Sequence, residues 1–237
     1  MSKSDDYQQP SLFSDSTLSS PETRHTEEWE NIPFDSKISI PAGTYDNLEA
    51  LATHCKQCQR CELAQTRTQV VISRGTPQAD VMIIGEAPGK SEDEQGLPFV
   101  GKSGQLLDKI LASVELSLEK DVYISNIVKC RPPENRTPIN KEIVACKSYL
   151  LEQIRLVDPK IILFTGATAL KGLTGEKKGI TKIRGQWLQW EGRWAMAIFH
   201  PAYLLRNPSR EKGKPKWLMW QDMQAVRQKL DHLRASI

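Results

Sequence analysis

The stretch Val81-Met82-Ile83-Ile84, closed by Gly85, decides how this chain folds. A short apolar run without alternation is typical of a parallel strand that is buried on both faces of its sheet. The loop Glu86-Ala87-Pro88-Gly89 follows directly, and its proline and glycine are typical of a turn. The sequence therefore predicts a central strand whose carboxyl end opens into a loop.

Three more apolar runs of strand length follow, and stretches with helical spacing of apolar residues separate them. The predicted strands are residues 122–125, 160–164 and 195–199, and the predicted helices are residues 106–114, 143–157, 168–173 and 215–233. This alternation predicts an α/β fold of three layers, αβα, around a mainly parallel four-stranded sheet. A small antiparallel hairpin that turns at Glu191-Gly192 should precede the last strand.

Length and composition predict one folded domain with a tail. The chain has 237 residues and 39% hydrophobic content, enough for one substantial core. Residues 1–40 are rich in polar and acidic residues without apolar periodicity, so we expect a disordered acidic leader followed by one domain over residues 41–237. No apolar run reaches membrane-spanning length, and no signal-peptide core follows Met1. We expect a monomer in the reducing cytoplasm.

The charge is unevenly distributed along the chain. The formal net charge is +3, but the first 54 residues hold three Lys/Arg against ten Asp/Glu, so that they carry −7 and the remainder carries +10. A basic body suggests a polyanion such as nucleic acid as a partner, although basic surfaces also occur on proteins that bind none.

Four of the five cysteines have the spacing of metal ligands: Cys58-x2-Cys61, then Cys130 and Cys146. Four thiolates suit either Zn²⁺ or a [4Fe-4S] cluster. Two isolated cysteines in the second half favour the cluster, because zinc sites more often have two C-x2-C pairs. The alternative is a set of buried, inert thiols, and Cys55 fits that description.

Three polar residues end the predicted strands, namely Glu86, Asn126 and His200. The carboxyl ends of parallel strands meet at one crevice, so these side chains should converge there. A carboxylate can orient or deprotonate water, a carboxamide offers a donor beside an acceptor, and an imidazole can stabilise negative charge. Each residue also has a purely structural interpretation. Glu86 could cap the segment that follows it, Asn126 could stabilise a turn, and His200 could be a core histidine with its hydrogen bonds satisfied.

These strand ends resemble a known family. Gly85-Glu86-Ala87-Pro88-Gly89 with residues 98–101, residues 126–133 and residues 200–208 closely resemble the family 4 uracil-DNA glycosylases of bacteria and archaea. The resemblance runs from about Cys58 to the C-terminus and includes the cysteine spacing. It implies hydrolysis of the bond between uracil and deoxyribose in DNA by base flipping, which leaves an abasic site. It also implies a [4Fe-4S] cluster on Cys58, Cys61, Cys130 and Cys146.

The resemblance also implies residue roles. Asn126 would read uracil, Phe99 would stack on it, His200 would face its O2 atom, and Glu86 with Asn135 would position the water. Glu92 would lie near the edge where thymine carries its methyl group, although it could equally be a solvated loop charge. Ala87 stands where many members have glycine, which leaves the range of excised bases open.

Residues after His200 are suited to DNA. Leu204 and Leu205 could wedge into the gap that a flipped base leaves, or they could pack under a loop. Arg206 and Arg210 begin a basic run, continued by Lys212, Lys214 and Lys216, that would contact phosphates and make binding salt-dependent.

Three further hypotheses are compatible with the sequence, one on a docking motif and two on rival functions. In the leader, Gln9-Pro10-Ser11-Leu12-Phe13 resembles the peptides by which bacterial DNA-processing proteins dock on the sliding clamp, although chance can produce such a motif in a polar tail. The rival functions are a non-hydrolytic iron-sulfur DNA-binding or lesion-sensing protein, and a nucleotide-binding protein whose Gly85 loop holds phosphate. That loop lacks P-loop spacing, and the charge of Glu86 would repel phosphate.

Overall fold

The structure is a computed structural model that describes residues 38–236, and its centre is a six-stranded sheet. The strands are β1 (Arg74–Gly75), β2 (Val81–Gly85), β3 (Val122–Asn126), β4 (Ile161–Thr165), β5 (Trp187–Trp190) and β6 (Arg193–Ile198). Their order is β1-β3-β2-β4-β6-β5. The inner four are parallel, which confirms the predicted strands, and antiparallel edge strands β1 and β5 enlarge the sheet from four to six.

The two edge strands explain where the prediction fell short. Strand β1 has only two residues, Arg74 and Gly75, and no apolar pattern. The hairpin at Glu191-Gly192 is present, and both residues have positive φ angles, of 48° and 75°. Its second arm is β6 itself, so the hairpin joins β5 to the fourth predicted strand instead of preceding it.

Eight α-helices complete the described part of the chain. They are α1 (Leu48–Lys56), α2 (Lys90–Gln95), α3 (Lys102–Ala112), α4 (Asn140–Val157), α5 (Ala167–Thr174), α6 (Ile180–Ile183), α7 (Pro201–Arg206) and α8 (Pro215–Ala235). Two apolar clusters, one on each face of the sheet, hold them in place. Helices α1, α4 and α5 pack in the first cluster, and α3, α7 and α8 pack in the second, which confirms the three layers.

Strand β2 shows why its sequence has no alternation. Met82 and Ile84 point into the first cluster, whereas Val81 and Ile83 point into the second. Both faces are therefore covered, and every residue of β2 is buried.

The strand order reverses beside β2, because β3 pairs with one of its edges and β4 with the other. In open α/β sheets the ligand crevice lies at such a reversal, outside the carboxyl ends of the strands. The fold thus places Glu86, which follows β2, at the expected site.

The folded body already includes part of the predicted leader. Ile40 is 5% exposed and belongs to the first apolar cluster, so the domain begins before residue 41. The remaining leader lies outside the described residues. Within residues 38–236, no helix combines the length and the apolar character that crossing a membrane requires.

Candidate active site

A cavity of about 420 Å³ opens at the carboxyl ends of the parallel strands. We call it the base cavity. All seven residues that were predicted to catalyse or to bind the base line it: Glu86, Ala87, Glu92, Phe99, Asn126, Asn135 and His200. Its volume is within the range of about 300–1,000 Å³ that small-molecule sites occupy.

The amide of Asn126 lies at the buried end of β3. The residue is 2% exposed, and its Oδ1 has no hydrogen-bond partner within the described residues. A buried oxygen without a partner is costly unless a ligand satisfies it. Asn126 therefore presents an acceptor to whatever enters the base cavity.

Gly85 allows the amide and the aromatic ring to approach each other. A Cβ atom at Gly85 would lie 2.3 Å from Asn126 Oδ1 and 2.6 Å from the ring of Phe99. Any side chain there would displace both groups. The glycine that ends β2 is thus part of the site, a role that the sequence analysis had not assigned to it.

The backbone of Phe99 is held in a left-handed conformation, with φ of 56°. This conformation is unfavourable for a large side chain, so neighbouring contacts must hold it. Arg74 donates to the Phe99 carbonyl at 2.9 Å and pairs with Asp108. A Cβ atom at Gly104 would overlap that carbonyl, at 1.6 Å. The Phe99 ring is therefore placed by its surroundings and not by a free loop.

Glu92 lines the base cavity, but its carboxylate is occupied by the loop itself. It accepts hydrogen bonds from the backbone N–H groups of Gly89 at 3.1 Å, Val100 at 2.9 Å and Gly101 at 2.8 Å. These bonds join the Gly85–Gly89 segment to the residues that follow Phe99. In this arrangement Glu92 fixes the shape of the wall near the ring.

His200 is arranged as a neutral donor. Its Nδ1 accepts a hydrogen bond from the backbone N–H of Ala202 at 3.2 Å, at the start of α7. Burial lowers the pKa of His200 to about 4, with a further lowering from Arg206 that Glu92 partly opposes. At neutral pH the ring is uncharged, and since Nδ1 is an acceptor, the single proton is on Nε2. The ring lies 5.7 Å from that of Phe99 between centroids.

The two residues predicted to position water both line the base cavity, and each has a side-chain partner. Glu86 Oε2 accepts a hydrogen bond from Thr168 Oγ1, at the start of α5. Asn135 has a left-handed backbone, with φ of 56°, and its Oδ1 accepts from Arg131 Nε at 2.7 Å. Each side chain is thus held by one partner from a neighbouring loop or helix.

The predicted DNA contacts divide into two groups. Arg206 lines the base cavity, and Leu205 is 43% exposed. Leu204 is 1% exposed and packs in the second apolar cluster, so of the two leucines only Leu205 is at the surface. Arg210 is exposed and lines a different cavity, between α3 and α8.

The cysteines surround a second small cavity, which we call the cysteine cavity. It is lined by Cys58, Cys61, Cys130, Cys146 and also Cys55. Within residues 38–236, no three Cys, His, Asp or Glu side chains are arranged to hold a single metal ion. The thiols therefore share one cavity without the close grouping that a single ion requires.

The chemistry around the thiols fits a thiolate-bound group. The Lys129 backbone N–H donates to Cys146 Sγ at 3.2 Å, and Arg67 donates to Cys130 Sγ at 3.4 Å. Such N–H···S contacts are the kind that surround iron-sulfur ligands. Burial raises the pKa of Cys130 to about 11 and that of Cys146 further, so both thiols need a bound cation to deprotonate at neutral pH.

Lys129 connects the cysteine cavity with the base cavity. The residue is 1% exposed, and its Nζ donates to Ser125 Oγ at 2.7 Å and to the Asn126 carbonyl at 2.6 Å. Burial lowers its pKa to about 8. The sequence analysis assigned no role to Lys129.

Known proteins are similar to most of this chain. Residues 72–224 match the model of the uracil DNA glycosylase superfamily. A type-4 uracil-DNA glycosylase of Thermotoga maritima is 45% identical over 166 residues, 69% of this chain and 86% of the relative. The type-4 enzyme of Archaeoglobus fulgidus is 37% identical, over 69% of this chain and 85% of its own. A type-5 uracil-DNA glycosylase of Pyrobaculum aerophilum is less similar, 28% identical over 74% of this chain and 90% of its own.

Proposed function

This chain belongs to the uracil-DNA glycosylase superfamily and to its type-4 branch, and we propose from that premise which of its residues excise uracil and how. The protein is a DNA-repair hydrolase that releases uracil from DNA. The rival functions, a non-hydrolytic iron-sulfur protein and a nucleotide-binding protein, are not favoured. The unpartnered Oδ1 of Asn126 beside the Phe99 ring supports the proposal most directly.

Uracil enters the base cavity after it has flipped out of the DNA stack, since an enzyme cannot reach its target atom while the base is stacked inside a duplex. The Phe99 ring supplies a stacking surface, and base-aromatic stacking is worth about 1–3 kcal/mol per base. That gain offsets part of the free energy of unstacking, which is a few kcal/mol.

Asn126 selects uracil by its hydrogen-bonding pattern. Its Oδ1 accepts from uracil N3–H, and its Nδ2 donates to O4. Cytosine reverses this pattern, so the buried amide would be left unpaired, with a penalty of about 1–3 kcal/mol. Thymine has the same pattern as uracil, and the wall that Glu92 holds in place supplies its steric exclusion.

His200 stabilises the leaving group. As the glycosidic bond breaks, negative charge develops on uracil O2, and the Nε2–H of the neutral imidazole donates to it. A neutral donor requires no proton transfer to become active at physiological pH. Glu86, oriented by Thr168, and Asn135 position the water that attacks the sugar.

The four cysteines Cys58, Cys61, Cys130 and Cys146 would hold a [4Fe-4S] cluster, whose role is structural. The cluster, when bound, cross-links three separate segments of the chain at the loop that follows Asn126. Cys55 lies in the same cavity and stays outside the proposed ligand set. The protein would act as a monomer in the cytoplasm on uracil-containing DNA, with Leu205, Arg206 and Arg210 toward the strand. The Gln9-Pro10-Ser11-Leu12-Phe13 motif, which lies outside the described residues, would dock on a sliding clamp.

These residue roles can be tested by measuring uracil excision from oligonucleotides that carry one uracil opposite guanine, opposite adenine or unpaired. Asn126→Asp should lower uracil release by at least about tenfold, because a carboxylate repels O4, and should raise the activity on cytosine relative to uracil. Asn140→Asp, at an exposed position on α4, introduces the same charge and is the control. An unchanged ratio of uracil to cytosine excision in Asn126→Asp would show that Asn126 does not read the base.

A further inference from the structure

A second cavity, of about 360 Å³, lies between α3, α7 and α8. We call it the Trp groove and define it by Trp217, Trp220, Lys109, Arg210 and Lys216, all of which line it. Trp220 is 49% exposed. Trp220 lines the groove together with Trp217 and Ile110, and apolar side chains grouped in this way, unlike a single exposed ring, mark a candidate binding site.

The charge of the Trp groove has one sign. Three of its lining residues are cationic and none is acidic. None of Lys109, Arg210 and Lys216 forms a salt bridge within residues 38–236. The groove therefore combines an aromatic wall with uncompensated positive charge, and that combination fits an anionic ligand that also has flat rings.

The Trp groove and the base cavity share two helices, α3 and α7, in their walls. Ser103 of α3 lines the base cavity, and Ile110 of the same helix lines the groove. On α7, Arg206 lines the base cavity and Leu204 lines the groove. Seven helical residues separate Ser103 from Ile110, which is about 10 Å along the axis. A strand with the duplex rise of about 3.4 Å per nucleotide would span that distance in about three nucleotides, and an extended single strand would need fewer.

We propose that the Trp groove binds the single-stranded DNA that flanks the uracil, with Trp220 as the stacking surface for a neighbouring base. Proteins that bind single strands combine a cationic groove with aromatic side chains in this way. In a duplex the flanking bases are stacked on one another, and their faces cannot reach a tryptophan. The preferred substrate is therefore uracil within a single strand. This inference rests on the proposed function, because it places the flank relative to the base cavity.

The proposal is tested directly by measuring how tightly the full chain binds uracil-free oligothymidylates of about 4 and about 12 nucleotides. Trp220→Ala should weaken binding of the longer oligonucleotide by at least about fivefold, whereas Trp220→Phe, which retains a ring, should keep most of the affinity. Lys216→Ala should lower the slope of log affinity against log salt by about 0.7, the value for one single-strand phosphate. Lys177→Ala, an exposed lysine beyond α5, is the charge-matched control and should leave that slope unchanged.

Uracil excision completes the test. Single strands with about six nucleotides on either side of the uracil should have a lower KM than single strands with one nucleotide on either side. The substitution Trp220→Ala should abolish this difference in KM. If Trp220→Ala binds the longer oligonucleotide as the unaltered protein does, the groove holds something else, such as the acidic leader or another protein, and the proposal is wrong. Failure of the unaltered protein to release uracil even from the short strand would instead reject the base cavity.

Discussion

His200 shows how one backbone contact can set the chemistry of a side chain. The Ala202 N–H occupies Nδ1, and burial lowers the pKa of the ring to about 4, so the neutral Nε2–H form is present at every pH well above that value. Across the physiological range the ring neither gains nor loses a proton, although free histidine titrates near pH 6.5. The donor strength of His200 should therefore be constant across the physiological range.

His200→Ala should slow uracil release by at least about tenfold, because one donor to a developing anion is worth about 2.7–4 kcal/mol. The ratio of rates between the unaltered protein and His200→Ala should stay constant from about pH 5.5 to about pH 8. Single-turnover assays across this range measure it, with iron content as the check on folding. A ratio that changes near pH 6.5 would mean that the imidazole titrates there and that the neutral-donor assignment is wrong.

The convergence of the residues proposed to act on the base was predictable from the sequence, but the residues that place them were not. Glu86, Asn126 and His200 each follow an apolar run, and parallel strands bring such positions together. Gly85 and Thr168 carry no such signal, because their roles depend on side chains that are distant in sequence. Thr168 meets Glu86 across 82 positions, and only the folded chain shows that pair.

Among the elements, the four inner strands were predictable because burial on both faces leaves a continuous apolar run. Strand β1 was missed because two residues, Arg74 and Gly75, contain no pattern. Yet β1 matters to the site, since the Arg74 side chain donates to the carbonyl of Phe99. A short edge strand can thus position an aromatic ring without any sequence signal of its own.

The loop after β3 links Asn126, the residue proposed to read the base, to the cysteines. Cys130 lies four residues beyond Asn126, and Lys129 bonds both the Asn126 carbonyl and Cys146 Sγ. Cys130→Ala should lose iron, increase hydrogen exchange over residues 126–136 and slow uracil release, because the loop is no longer held. Iron analysis, absorbance and hydrogen exchange measure these effects separately from activity.

Cys55→Ala is the matched control, since it removes a buried thiol from the same cavity. It should retain iron and the hydrogen exchange of the loop, with only the modest loss of stability, about 1 kcal/mol, that small core changes bring. A stable, fully active and iron-free Cys130→Ala protein would show that the cysteines do not support the loop. Equal loss of iron in both variants would show that the ligand set is wrong.

The whole molecule separates charge between two parts of the chain. The first 54 residues carry −7 and the remainder +10, and the cationic side chains named above lie around the base cavity and the Trp groove. An acidic leader repels DNA, so a docking motif within it would not compete with the body for the substrate. Binding to a protein partner and excision of uracil should therefore be separable by deletion.

Deletion of Gln9-Pro10-Ser11-Leu12-Phe13 should abolish binding to a sliding clamp, because the Leu-Phe pair is the only adjacent pair of large apolar side chains in the first 37 residues. Uracil release from a short oligonucleotide should be unchanged, since the described residues that line the base cavity all lie between positions 86 and 206. Deletion of residues 14–18, which removes the same length of leader, is the control and should retain clamp binding. Size-exclusion chromatography with the purified clamp measures the complex. A stable complex after deletion of Gln9-Pro10-Ser11-Leu12-Phe13 would show that another surface docks on the clamp. Loss of the complex in both deletions would show that clamp binding depends on the length of the leader and not on the motif.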